Sequence, residues 1–187
     1  YATNSAGTAY GNEVTFTTSA PDIYVAGYES NGVKLVAKVW KNGVVTSLTN
    51  GSNDAYGNSV YVSGTDVYVA GFEITSTKGI VKVWKNGVAT SLTNGSNDAY
   101  GNSVYVSGTD VYVTGYEYIG ANAVAKVWKN GVATSLTNGS NNAYSTSVFV
   151  SGTDVYVTGA ENNATKDVAK IWKNGVAASL TNGSNNA

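Results

Sequence analysis

The chain has 187 residues, enough for one domain with a sizeable core or for two small ones. Twelve acidic and eleven basic residues leave a net charge of −1, and every cation is lysine; the basic face that nucleic acid needs is missing, and so are the guanidinium forks of phosphate sites. Histidine, cysteine and methionine are absent, which excludes Ser-His-Asp and Cys-His nucleophile activation, the usual zinc sites and any disulfide framework.

In chain order, the first stretch is "YATNSAGTAYGNEVTFTT". It resembles the closing strand region of a fibronectin type III module of the kind found in secreted bacterial proteins. On that resemblance residues 1–12 are a linker or a module remnant, and the chain is expected to be cut from a longer secreted or cell-surface protein. Residues 13–187 are then one repeat-built domain. No apolar run reaches the ~18 residues of a membrane span, so no membrane insertion is expected.

The repeat is read most easily from Trp40, Trp84, Trp128 and Trp172, which are 44 residues apart each time. Asp22, Asp66, Asp110 and Asp154 keep the same step, as do Glu29, Glu73, Glu117 and Glu161. Such a period marks a solenoid, a propeller or an array. Within one unit, "NSVYVSG" is a strand candidate, "VYVAGFE" a second, "IVKVW" a third and "VATSLT" a fourth. "GTD" and Asn86-Gly87 between them are hairpin chemistry, and Asn-Gly favours a type I′ turn because both residues tolerate positive φ. "VYVAG" is apolar on both parities, so neither side of that strand looks wet, whereas a half-exposed sheet alternates apolar with polar. A small antiparallel sheet covered on both faces by copies of itself is a propeller blade.

The expected fold is therefore all-β: a β-propeller of four-stranded antiparallel blades, four blades per chain. The period and the third strand ending in Trp resemble WD40 and kelch blades. The Trp-Asp and Gly-His pairs of WD40 and the double Gly of kelch are absent; Lys41, Lys85, Lys129 and Lys173 follow the tryptophans. Blades are expected over 13–50, 57–94, 101–138 and 145–182, with "EVTFTTS" as the first inner strand. A second phase starts each unit at Asp22, Asp66, Asp110 and Asp154, leaving the last unit a strand short for "NEVTFTT" to complete. Four blades can close a ring alone, or two chains can make eight about a two-fold axis; both a monomer and a homodimer stay open.

The layout sorts connections onto two rims. One carries the tight turns "SGTD" and "KNG", which are expected to be too short to form a pocket. The other carries the variable hairpin tips after each Glu and the link "NGSNDAYGN" between units. Loops on a rigid scaffold are the usual home of binding, although unconstrained loops also drift. The link combines amides, carboxylates and an aromatic ring, as sugar sites do. Its candidate ligand-binding residues are Asp54, Tyr56, Asn58, Asp98, Tyr100, Asn102 and Tyr144; the plainer reading is turn chemistry plus a ring packed between blades. Glu29, Glu73, Glu117 and Glu161 are further candidates, with pairing to Lys38, Lys82, Lys126 and Lys170 as the plainer alternative. Each link holds at most one carboxylate, so no metal site is assigned, and no cofactor is implied. The "NGS" sequences match the glycosylation acceptor and also read as turns.

These features point to a non-catalytic extracellular binding module, presenting the loop-bearing rim to a glycan or protein ligand. A structural or adhesive repeat domain without a small ligand is the first alternative. A carboxylate-based polysaccharide hydrolase or lyase is the second, opposed by the lack of any residue set that breaks the repeat.

Overall fold

The computed structural model describes residues 2–9 and 20–185. Among them every regular element is a strand, and there is no helix to cross a membrane. Ala2–Asn4 (β1) and Gly7–Ala9 (β2) form an antiparallel hairpin. Four antiparallel sheets follow, each running in chain order from one edge to the other. The first is β3 (Tyr24–Ser30), β4 (Leu35–Lys41) and β5 (Val44–Ser47). The second is β6 (Asp54–Ser63), β7 (Asp66–Thr75), β8 (Lys78–Lys85) and β9 (Val88–Ser91). The third is β10 (Ala99–Ser107), β11 (Asp110–Ile119), β12 (Asn122–Lys129) and β13 (Val132–Ser135). The fourth is β14 (Ala143–Ser151), β15 (Asp154–Asn162), β16 (Asp167–Lys173) and β17 (Val176–Ser179).

The order β6-β7-β8-β9 decides the strand phase for the last three blades. The alternative phase, beginning at the repeated Asp, is overturned: β10 pairs with β11, not with β9. The inner strand expected at "EVTFTTS", like the closing segment "NEVTFTT", lies outside the described residues. The Asn-Gly turns carry positive φ at both positions, 50° at Asn86 and 83° at Gly87, as type I′ chemistry requires. The Asn86 carboxamide also accepts from the Val67 amide (2.9 Å) and donates to Asp66 (2.8 Å), tying the turn to its neighbour hairpin.

Two faces of each blade do different work. Val69 pairs with Trp84 and points one way; Tyr68, Ala70 and Val83 point the other. We call these the tryptophan face and the tyrosine face. The tryptophan face of each blade packs on the tyrosine face of the one before it. Trp84 clusters with Ala37 and Leu48 of the first blade, Trp128 with Tyr68 and Val81 of the second, and Trp172 with Tyr112 and Leu136 of the third. These three indoles are fully buried wedges. The blades are thus covered on both sides wherever they have two neighbours, as the double-apolar strands require. The result is a propeller-like stack in chain order, and its two end faces do not close on each other.

Each inner strand comes close to the strand beside it. A β-bulge leaves Asn58, Asn102 and Thr146 without a partner in the ladder. At Gly115 a Cβ would stand 1.9 Å from the Tyr100 carbonyl oxygen, so only glycine fits opposite the bulge.

Candidate functional site

The loop-bearing rim is more ordered and more compact than its composition suggests. Strands β6, β10 and β14 begin at Asp54, Ala99 and Ala143, so the second half of each link is strand, not loop. The hairpin tips shrink correspondingly: only Ser76 and Thr77 separate β7 from β8. In the longer first tip, the Asn31 side chain accepts from the Val33 (3.0 Å) and Lys34 (2.7 Å) amides. The Asn50 carboxamide accepts from the Ser52 amide at 3.0 Å, and Asn94, Asn138 and Asn182 do the same, so each "NGS" forms a side-chain-closed turn.

The repeated glutamates occupy one end of β3, β7, β11 and β15, and each forms an ion pair with the lysine across its hairpin. The distances are 2.6 Å for Glu29–Lys38, 3.3 Å for Glu73–Lys82, 2.7 Å for Glu117–Lys126 and 3.3 Å for Glu161–Lys170. Asn53 and Asn97 add hydrogen bonds to Glu73 (3.1 Å) and Glu117 (3.0 Å). Burial acts to raise the Glu117 carboxyl, but the bonds from Lys126 and Asn97 outweigh it and hold the group below its ordinary value.

The link residues stitch blade to blade. Asp54 accepts from the Leu35 amide (2.9 Å) and pairs with Lys34 (2.9 Å), both in the first blade. Those contacts, the backbone amide first, hold its carboxyl below the usual range. Asp98 accepts from Gly79 of the second blade (2.6 Å), and Asn142 accepts from Ala123 of the third (2.9 Å). Either residue type serves because only an acceptor oxygen is needed. Asn58 and Asn102, the bulge residues, donate forward to the carbonyls of Gly101 and Ser145, each at 2.8 Å. In the third junction a buried hydroxyl pair replaces smaller residues: Thr114 donates to Ser145 at 2.8 Å, and Ser145 bonds the Gly115 carbonyl.

Tyr56, Tyr100 and Tyr144 belong to a ladder of rings that crosses every junction. It runs Tyr28, Tyr56, Phe72, Tyr100, Tyr116 and Tyr144, with successive centroids 4.5–5.1 Å apart. Burial, helped by the Asp98 carboxylate, pushes the Tyr100 hydroxyl up to about 12; burial and Tyr118 do the same for Tyr144. The sequence candidates on this rim are therefore brought together: the link residues make contacts with the neighbouring blades, and each repeated Glu pairs with a Lys of its own blade.

The opposite rim has a feature that the repeat pattern did not reveal. The tight turns are short, yet clefts open between the turns of adjacent blades. The cleft between the first and second blades holds about 360 Å³ and is lined by Tyr24, Lys41, Thr46, Leu48, Trp84 and Asn86. Its equivalents hold about 210 Å³, between Tyr68, Lys85, Thr90 and Trp128, and about 230 Å³, between Tyr112, Lys129, Thr134 and Leu136. At each mouth stands the same polar set. Lys85 pairs with Asp66 at 2.7 Å and lies 5.4 Å from the Tyr68 ring centre, while Asn86 bonds the other Asp66 oxygen. The sets around Asp22, Asp110 and Asp154 repeat this geometry. Hydrogen bonds from Lys85 and Asn86 hold the Asp66 carboxyl below its usual range, and the same carboxylate holds Lys85 above its own. The buried indole Nε1 of Trp84, which lines the first cleft, has no hydrogen-bond partner. The signal for these clefts lay in the invariant Tyr, Lys, Trp and Asn of the unit, but their meeting is a property of two units together.

Among the described residues no group of three or more histidine, cysteine, aspartate or glutamate side chains comes together to hold a metal ion. No protein-family model matches the chain, and no curated protein matches it.

Proposed function

We propose that the chain is a non-catalytic binding module of a secreted or cell-surface protein, taking a glycan or a protein ligand. The observation that carries this reading is the threefold repetition of one cleft along the tight-turn rim, each copy with apolar walls and a mouth of Tyr, Lys, Thr and Asn. Sugars are held in this way, by ring and aliphatic contact below and hydrogen bonds at the edge. The cleft volumes suit a single sugar ring or one side chain rather than a drug-sized ligand. Repetition supplies avidity, since three weak sites on one rigid body bind a polymer far better than one. The geometry favours this rim over the loop-bearing one, where Asp54, Asp98, Asn58 and Asn102 are engaged with neighbouring blades. The extracellular setting rests on the N-terminal likeness to a fibronectin type III module. The blades are proposed to be of a Trp-containing propeller type resembling WD40 and kelch.

Thr46, Thr90 and Thr134 are exposed residues of the three clefts, so Tyr in their place fills the clefts without touching the core. On a glycan array and in pull-downs, the intact chain is expected to bind and the triple Thr→Tyr variant to lose at least tenfold in affinity. Binding unchanged in that variant would move the site elsewhere. A structural or adhesive repeat is the second reading, favoured by the blade-to-blade stitching of the links; it predicts no ligand in either assay and cell attachment that survives the triple variant.

A further inference from the structure

The two ends of the stack expose the two halves of an interface that the molecule has already formed three times. On the tryptophan face of the first blade, Val25 is 51% exposed, whereas its equivalents Val69, Val113 and Val157 are each 1% exposed. Trp40 on the same face is half-buried, whereas the three later tryptophans are fully buried. On the tyrosine face of the fourth blade, Leu180 is 62% exposed, against 8% for Leu48 and 9% for Leu136. Phe149, last in the ring series Tyr61–Tyr105–Phe149, is also exposed. Among the described residues neither end is a capped, polar surface of the kind that terminates a natural stack.

The geometry points to a second copy of this chain as the occupant of both ends, docked head to tail. The argument is continuity with the internal junctions. The fourth tyrosine face presents Tyr156, Ala169, Ile171 and Leu180 where the third presents Tyr112, Ala125, Val127 and Leu136. The first tryptophan face presents Val25 and Trp40 where the fourth presents Val157 and Trp172. What buries Trp172 inside one chain is therefore present at the free end, with Ile171 for Val127 and Phe149 for Tyr105, to receive Trp40 of another. The contact is heterologous, because the two surfaces differ, so it must close into a ring or run on as a fibre. Stacking four blades leaves both ends open here; two chains bring eight blades, within the range in which propellers close. Docking also makes a further cleft of the kind described above, from Tyr156 and Lys173 of one copy and Asn42 of the next.

Light scattering on the intact chain tests this. The expected mass is twice the 19.3 kDa of one chain, unchanged over a tenfold dilution. Val25→Glu and Leu180→Glu each place a charge on one end face at an exposed position, so the isolated fold, checked by circular dichroism, is kept. Each variant alone is expected to run as a single chain or to dissociate at least tenfold more readily. Mixing the two is expected to restore the two-chain species, because one junction in the mixed pair carries neither substitution. A wild-type mass of one chain overturns the proposal. So does loss of association in only one of the two variants, which marks a contact between like faces, or a mixture that stays at the single-chain mass.

Discussion

At the scale of single residues, the chain uses polar side chains as structural parts more often than as free chemistry. Asn86 closes a turn, accepts from Val67 and fixes Asp66; Asp98 clasps Gly79. Tyr100 and Tyr144 lie between blades, and their hydroxyls are shifted upward by burial, in each case from 10.0 to about 12. The sign follows from linkage. An acid whose folded value is raised is favoured in its neutral form, so the unfolded chain ionises first and stability is lost as pH rises from 10.0 towards 12. Ultraviolet titration of tyrosinate is expected to show Tyr100 and Tyr144 among the late-ionising groups of the fourteen tyrosines, with Tyr61 and Tyr116 also shifted upward by burial. Tyr100→Phe with Tyr144→Phe removes these two late groups and lessens the alkaline fall in melting temperature; an unchanged titration curve in that double variant refutes the assignment.

At the scale of elements, the hairpins and the "NSVYVSG" part of the inner strands were legible, and the start of those strands inside the link was not. Asn-Gly at a fixed place in each unit announces a type I′ turn, and the apolar double parity of "VYVAG" announces a strand hidden on both faces; both hold in the structure. The pairing of Glu117 with Lys126 was also readable, because the hairpin register sets Glu117 opposite Val124 and so makes Lys126 its diagonal neighbour on the same face. "NGSNDAYGN" misled because Asn, Asp and Gly are turn formers in isolation. Here the Tyr56, Tyr100 and Tyr144 rings and the carboxamide stitches between blades draw its second half into strands, a tertiary effect that no local pattern records. The tight-turn clefts escaped for a related reason: each lies between units, and the sequence shows one unit at a time. The bulge offers a clean test of inner-strand geometry. A methyl group at Gly115 would stand 1.9 Å from a backbone oxygen that cannot rotate away, whereas at Gly87 it would meet open space and only the positive φ of 83° opposes it. Gly115→Ala is expected to cost ~3 kcal/mol or more in denaturant unfolding. Gly87→Ala is expected to cost ~1 kcal/mol, the strain of one left-handed non-glycine residue. Equal costs at the two positions would remove the close approach from the argument.

At the scale of the whole molecule, stability is set by junctions. Blades touch their chain neighbours, so the total is close to a sum of blade and nearest-neighbour contributions. Each junction is centred on one indole, which makes tryptophan truncation a direct measure of a junction. Trp84→Ala, Trp128→Ala and Trp172→Ala empty a fully buried site, and each is expected to lower unfolding free energy by ~3–5 kcal/mol. Trp40 is half-buried on an end face, so in a dilute, single-chain sample Trp40→Ala should cost well under half as much. The comparison becomes sharper when concentration is varied. If the end faces dock in pairs, Trp40 becomes a fourth junction residue, and its truncation cost must rise towards that of the other three as the protein is concentrated, while theirs stays constant. A Trp40 cost that is small and indifferent to concentration would mean that the first tryptophan face stays solvated, and that the stack ends where the described blades end.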